Sequence, residues 1–124
     1  MYPADRRYTK DHEWIIVSGN RGRVGITDYA QKQLGDVVFV ESPDVGRTVT
    51  QGQSAGTIES VKAVSEIYSP ATGTVVEANP VLATKPETVN SDPHGSGWLF
   101  EVELTKPGEI DSLMTNEQYA ELVK

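Results

Sequence analysis

The sequence has 124 residues, a formal net charge of −7 and no cysteine. This length suits one domain with one modest core, and the absence of cysteine excludes disulfides, thiolate metal sites and cysteine nucleophiles. An acidic chain is a poor ligand for nucleic acid, because phosphate binding requires a basic face. No stretch approaches the roughly 20 apolar residues that a membrane span needs, and residues 1–7 lack the apolar segment of a secretory signal. We therefore expect neither nucleic acid nor a membrane as a partner.

The first half of the chain predicts short strands and one helix. Segments rich in β-branched and aromatic residues, bounded by glycine, asparagine or proline, predict strands at residues 13–18, 23–26 and 37–41. The segment 27–35 predicts a two-turn helix. Thr27 is a favourable N-cap for that helix, and Gly35 suits the position just after its end.

The second half predicts more strands and then helix. From Val45 to Asn79, short β-branched runs alternate with glycine and proline, and residues 98–104 alternate as a half-buried strand does. Beyond Pro107 the pattern is helical, with a capping box at residues 115–118 and an apolar stripe of Tyr119, Leu122 and Val123. We expect a mostly β, single carrier domain over residues 1–124, a sandwich or barrel hybrid of two antiparallel sheets. Its core would span about residues 8–105, followed by a helical extension at 107–124.

Residues 59–66 form a palindrome centred between Lys62 and Ala63, in which Glu59 mirrors Glu66. In an antiparallel hairpin the mirrored residues would be cross-strand partners, and Lys62 and Ala63 would form a two-residue loop. Such loops favour asparagine or glycine, so a lysine there suggests that its side chain is needed at the tip. Acylation would turn it into a long, uncharged tether. The alternative is an ordinary solvated lysine.

Residues 59–70 resemble the lipoyl-attachment segment of glycine cleavage system H proteins. The resemblance covers nearly the whole chain, because further matching segments occur in the family's order at residues 8–14, 25–31, 34–41, 89–93 and 97–99. It implies a lipoyl/biotinyl-like fold and a covalent lipoate on Lys62, as N6-lipoyllysine. It also implies that a lipoate-attaching enzyme recognises the hairpin around this lysine, at Glu59, Ser60, Val61, Ala63, Val64, Ser65 and Glu66.

The resemblance further implies the role of a carrier in glycine catabolism. A glycine decarboxylase (P protein) would load the arm with an aminomethyl group, and an aminomethyltransferase (T protein) would unload it. A dihydrolipoyl dehydrogenase (L protein) would then reoxidise the arm. The chain would supply a tether and docking surfaces but no catalytic residue. We expect a monomer in the cytoplasm, or in the mitochondrial matrix if the sequence is the mature form of a eukaryotic protein.

Other functions compete with this interpretation. An H-type relay protein, which donates lipoyl groups to other enzymes, would share the same hairpin. The segment Gly52-Gln53-Ser54-Ala55-Gly56 matches the nucleophile elbow of small serine hydrolases, but that elbow needs a helix after it, whereas the residues after Gly56 predict a strand. We expect no metal site at Asp11, His12, Glu13 and His94, because neighbouring residues of a strand point to opposite faces.

Four polar residues are candidates to line a cleft in which the loaded arm rests: Asp11, His12, Glu13 and Glu66. A carboxylate would attract the protonated amine of the aminomethyl group. For a close pair this attraction is about 1 kcal/mol in water, against about 4 kcal/mol at an effective dielectric near 20. Only a partly buried cleft would therefore hold the arm. The alternative is that these residues belong to a solvated surface.

Overall fold

The computed structural model describes residues 2–124. Its strands are β1 Arg7–Tyr8, β2 Glu13–Ser18, β3 Arg21–Ile26, β4 Val37–Glu41, β5 Thr48–Val49, β6 Ser54–Ser60, β7 Val64–Tyr68, β8 Gly73–Ala78 and β9 Phe100–Leu104. The α-helices are α1 Asp28–Leu34, α2 Val81–Thr84, α3 Thr88–Ser91 and α4 Asn116–Leu122, and a 3-10 helix spans Pro107–Ser112. No helix among these residues is long and apolar enough to cross a membrane.

The strands form two antiparallel sheets. The larger sheet has six strands in the order β1-β2-β3-β9-β8-β5, and the smaller has three in the order β4-β6-β7. Strand β7 of the β6–β7 hairpin is therefore an edge of the smaller sheet, and β6 is its central strand. The predicted fold class, mostly β with two antiparallel sheets, a short early helix and a C-terminal helix, is confirmed.

Apolar side chains from both sheets meet in one core, which includes Ile15, Val24, Phe100 and Val102 of the larger sheet and Ile58 and Ile67 of the smaller. A second, aromatic cluster consists of Tyr8, Trp14, Trp98 and Tyr119. The ring of Tyr119 stacks on that of Tyr8, with centroids 4.9 Å apart. Helix α4 thus packs on the domain through a fully buried tyrosine.

Local signals in the sequence located several elements correctly. Thr27 caps α1 by accepting a hydrogen bond from the N–H of Ala30, and Gly35 ends that helix with a φ of +81°. The capping box at Thr115 is also present. The predicted apolar stripe of α4 is wrong at Leu122, which is 51% exposed.

Candidate functional site

The register of the β6–β7 hairpin differs from the palindromic prediction. Glu59 pairs with Val64, and the N–H of Ser60 donates to the carbonyl of Ala63 at 2.8 Å. Residues 61–62 therefore form the tip of the hairpin, and the predicted Lys62-Ala63 loop was displaced by one residue. The mirrored residues of the palindrome are not cross-strand partners.

The side chain of Ser60 explains this register. Its Oγ accepts hydrogen bonds from the N–H groups of Lys62, at 3.3 Å, and Ala63, at 3.1 Å. Because a serine hydroxyl can thus stand in for a backbone acceptor, the turn forms without a residue at positive φ. The N–H of Val61 donates to the carbonyl of Asp36 at 3.0 Å, which fixes the tip to the α1–β4 connection.

Lys62 is exposed, and the carbon chain of its side chain lies along Gly35. A Cβ added to Gly35 would lie 3.3 Å from Cε of Lys62. Asn90 holds this region in place, since its Nδ2 donates to the carbonyl of Gly35 at 2.9 Å and its Oδ1 accepts from the N–H of Val37 at 2.8 Å. The root of the lysine is thereby fixed, whereas the residue as a whole is exposed.

A cleft of about 270 Å³ lies beside the hairpin, between α1 and β7. Its lining brings together all four predicted arm-cleft residues: Asp11, His12, Glu13 and Glu66. The remaining lining residues are mostly apolar or small and include Ile26, Ala30, Gln33, Leu34, Ile58, Ala63, Val64, Ser65 and Ile67. The cleft therefore begins at the residue that follows Lys62.

Glu13 is the buried acid of this cleft, with only 2% of its surface exposed. One carboxylate oxygen accepts the hydroxyl of Thr9 at 2.6 Å, and the other accepts the N–H of Tyr68 at 3.1 Å. Burial raises the pKa of Glu13 from 4.5 to about 7, although both hydrogen bonds act in the opposite direction. A cation in the cleft would favour the ionised form of this carboxyl group.

The other predicted cleft residues differ from Glu13 in burial. Asp11 and Glu66 are exposed, and Glu66 accepts a hydrogen bond from the hydroxyl of Ser54 at 3.0 Å. Water screens exposed carboxylates, so they attract a cation only weakly. His12 is half-buried, and burial lowers its pKa, which favours the neutral ring at neutral pH.

A second cavity, of about 320 Å³, shares Asp11 and Glu13 with the cleft. Its other lining residues are 8–10, 51–52, 68–70 and 112–114, and no residue of the hairpin tip is among them. A side chain extending from position 62 would therefore meet the cleft first.

The hydrolase alternative does not fit the structure. Ser54 is the first residue of strand β6, which runs to Ser60, so no helix follows the serine as the nucleophile elbow requires. Its hydroxyl donates to Glu66, and Nε2 of His94 instead accepts the N–H of Asp28 at 3.1 Å. Within residues 2–124, no group of three or more histidine and acidic residues could hold a metal ion.

An exposed lysine at a hairpin tip, on two packed antiparallel sheets and beside a cleft with a buried acid, defines a carrier protein of the lipoyl or biotinyl type. Comparison with known families makes this class specific. Residues 6–124 match the family described as Glycine cleavage H-protein. The chain belongs to this family.

Individual relatives are similar to this chain over nearly its whole length. The chain is similar to a glycine cleavage system H protein of Symbiobacterium thermophilum, with 53% identity over 98% of this chain and 95% of the relative. A glycine cleavage system H protein of Myxococcus xanthus is 52% identical, with the same coverage. The crystal structure of a glycine cleavage system H protein from Mycobacterium marinum superimposes with a TM-score of 0.89. It is 44% identical, and the match covers 97% of each chain.

Members of this family are carriers, not enzymes, and hold a lipoate covalently on a lysine. The chain is accordingly a non-catalytic lipoyl carrier of the glycine cleavage system, whose partners there are the P, T and L proteins. The alternative role of a lipoyl relay gains no support from these relatives, since they are named for glycine cleavage.

Proposed function

We propose that Lys62 is the lysine that carries the lipoyl group. The observation that carries this proposal is its position at the tip of the β6–β7 hairpin, exposed and next to the cleft. Other lysines are placed differently. Lys32, for example, lies on α1 and is held in an ion pair with Asp28 at 2.9 Å.

The residues around Lys62 fit a long, flexible tether. The Ser60 hydroxyl and the Asp36 carbonyl fix the turn, so the point of attachment is rigid while the side chain is free. When bound, lipoate would supply a disulfide that accepts the aminomethyl group and a dithiol after release. The cleft offers an apolar wall, including Leu34 and Ile67, along which such an arm can pack.

The buried carboxyl group of Glu13 gives the cleft its polarity. Because it is removed from water, its attraction for a protonated amine exceeds that of an exposed acid by several fold. We therefore propose that Glu13 holds the cationic load of the arm, with Asp11, His12 and Glu66 at the border of the cleft. Holding the load there would slow the attack of water, which would convert it to formaldehyde and ammonium.

The outer face of the smaller sheet supports a role in recognition. Phe39, Glu59 and Val64 form one cross-strand row on this face, and Phe39 and Val64 are 55% and 68% exposed. The next row contains two more acids, Glu41 and Glu66. Apolar side chains ringed by acids suit a partner whose binding surface is apolar with a basic rim. We propose that a lipoate-attaching enzyme reads this face together with the tip residue Val61 and its neighbours Ser60, Ala63 and Ser65.

A single chain contains both the hairpin and the cleft, which supports a monomeric carrier. The cytoplasmic location expected from the sequence stays a prediction.

The variant Lys62→Arg tests the site assignment, because arginine keeps the positive charge but its guanidinium group is not acylated by a lipoate-attaching enzyme. Lys10→Arg is the matched control, since Lys10 is an exposed lysine that lines the second cavity and not the cleft. We expect lipoylation and glycine cleavage with the P, T and L proteins to be lost in the first variant and kept in the second. Lipoylation that survives in Lys62→Arg would contradict the proposal.

A further inference from the structure

A buried chain of hydrogen bonds connects the C-terminal helix α4 to the rear of the cleft. The hydroxyl of Tyr119 lies 2.8 Å from Nδ1 of His12 and 2.7 Å from Oγ1 of Thr27. Tyr119 and Thr27 are both fully buried. Burial raises the pKa of Tyr119, so its hydroxyl stays neutral and can donate one hydrogen bond and accept another.

One partner of Tyr119, His12, lines the cleft, and the other, Thr27, caps a helix that lines it. Thr27 is the N-cap of α1, and its Oγ1 accepts the N–H of Ala30 at 3.2 Å. Helix α1 supplies one wall, at Ala30, Gln33 and Leu34. His12 lines the cleft directly, between Asp11 and Glu13. The tyrosine itself lines neither the cleft nor the neighbouring cavity.

His12 has an unusual backbone conformation. Its φ of +72° makes it the only non-glycine residue at positive φ within residues 2–124. A left-handed conformation is strained in an L-residue, so it persists only where several contacts impose it. Here the carbonyl of His12 accepts the N–H of Thr27 at 3.0 Å, and its ring packs on Tyr29 with centroids 4.7 Å apart. The Tyr119 hydroxyl completes this set.

We propose that Tyr119 is a positioning residue of the arm cleft. Its hydroxyl adds a side-chain link between His12 and the N-cap of α1 to the backbone hydrogen bond from Thr27 to His12. The two links together set the spacing between the helix wall and the segment that ends in Glu13. The C-terminal helix would then shape the resting site of the arm without touching it. This inference rests on the proposed function of the cleft.

The packing of Tyr119 is separable from its hydrogen bonds. Its ring stacks on Tyr8 and meets Tyr2 edge-to-face, both with centroids 4.9 Å apart. Tyr119→Phe would keep these contacts and remove only the hydroxyl. Tyr8→Phe is the matched control, because it removes a hydroxyl from the same cluster whose partner is the carbonyl of Pro3, at 2.7 Å.

Amide hydrogen exchange of the unlipoylated protein gives the first test, since it needs no bound arm. The N–H of Ala30 reports directly on the Thr27 cap. In Tyr119→Phe we expect it to exchange roughly threefold to tenfold faster than in the wild type, the range that one weakened hydrogen bond gives. In Tyr8→Phe it should exchange at the wild-type rate. Equal exchange in all three proteins would overturn the proposal, as would equal acceleration in both variants.

The second test is the lifetime of the aminomethyl group on the isolated carrier. This lifetime is measured from the rate at which formaldehyde is released. We expect it to shorten by roughly threefold in Tyr119→Phe, by more in Glu13→Gln, and not at all in Tyr8→Phe. The role of the cleft and the role of Tyr119 can be contradicted separately. If Glu13→Gln leaves the lifetime unchanged, the proposed cleft is wrong. If Glu13→Gln shortens it and Tyr119→Phe does not, only the role of Tyr119 is wrong.

Discussion

Replacing Glu13 by glutamine should change how the stability of the protein depends on pH. Burial raises the pKa of Glu13 from 4.5 to about 7 in the folded protein, whereas the unfolded chain keeps the ordinary value. The folded state therefore binds more protons between these two pH values. Its stabilising contribution is fully present below about pH 4.5 and is lost as the pH rises through about 7.

The size of the pKa shift of Glu13 sets how much the free energy of unfolding changes with pH. One pKa unit corresponds to about 1.4 kcal/mol, so the loss from Glu13 amounts to about 3 kcal/mol between pH 4 and pH 8. Glutamine does not titrate. Like the protonated carboxyl group that it replaces at low pH, it keeps one oxygen that accepts a hydrogen bond and carries hydrogen at the other position, where the Thr9 hydroxyl can turn to accept it. The variant should therefore be close to the wild type in stability at low pH, within about 1 kcal/mol.

The assay is urea unfolding followed by tryptophan fluorescence, in steps from pH 4 to pH 8. The free energy of unfolding of Glu13→Gln, relative to the wild type, should rise by about 3 kcal/mol across this range. Glu66→Gln, which removes an exposed carboxylate from the same cleft, shows the effect of surface charge alone. Parallel curves for Glu13→Gln and the wild type would refute the reasoning, because they would mean that Glu13 titrates normally.

Three further substitutions test other parts of the account. Ser54→Ala should change the free energy of unfolding by less than about 0.5 kcal/mol and leave glycine cleavage intact. Esterase activity in the wild-type protein that is absent from this variant would contradict the role of a carrier. Gly35→Ala should lower the free energy of unfolding by about 1 kcal/mol or more, because Gly35 has a φ of +81°. It should also slow lipoylation, because the new Cβ would contact the side chain of Lys62. An unchanged melting temperature would contradict the first expectation. Asn90→Ala should cost about 2–4 kcal/mol in urea unfolding, because its amide bridges α1, Gly35 and β4; a loss below about 1 kcal/mol would show that water replaces it.

The parts of the fold that depend on local chemistry could be predicted from the sequence. Helix α1 is bounded by Thr27 and Gly35, whose conformational preferences act within one turn of the chain. Strand β2 and the capping box of α4 are local in the same sense. By contrast, α2 and α3 are single turns without a side-chain cap, so they left no such signal.

The site was predictable only in part. The sequence located Lys62 in a hairpin and gathered the candidate acids, because those residues lie in distinctive segments. The register was missed, since the palindrome suggested symmetric pairing, whereas the hydrogen bonds of the Ser60 side chain shift it. A serine before a two-residue tip was the available signal. The link from Tyr119 to His12 joins residues 107 positions apart, and no local pattern encodes such a contact.

Lys62 as the site of attachment is the central claim, and peptide mapping by mass spectrometry tests it most directly. The wild-type protein is incubated with lipoate, ATP and a lipoate-attaching enzyme, digested, and each lysine-containing peptide is sequenced. We predict one lipoyl group per chain, located on the ε-amino group of Lys62. A lipoyl group on any other lysine, with Lys62 unmodified, would contradict the account.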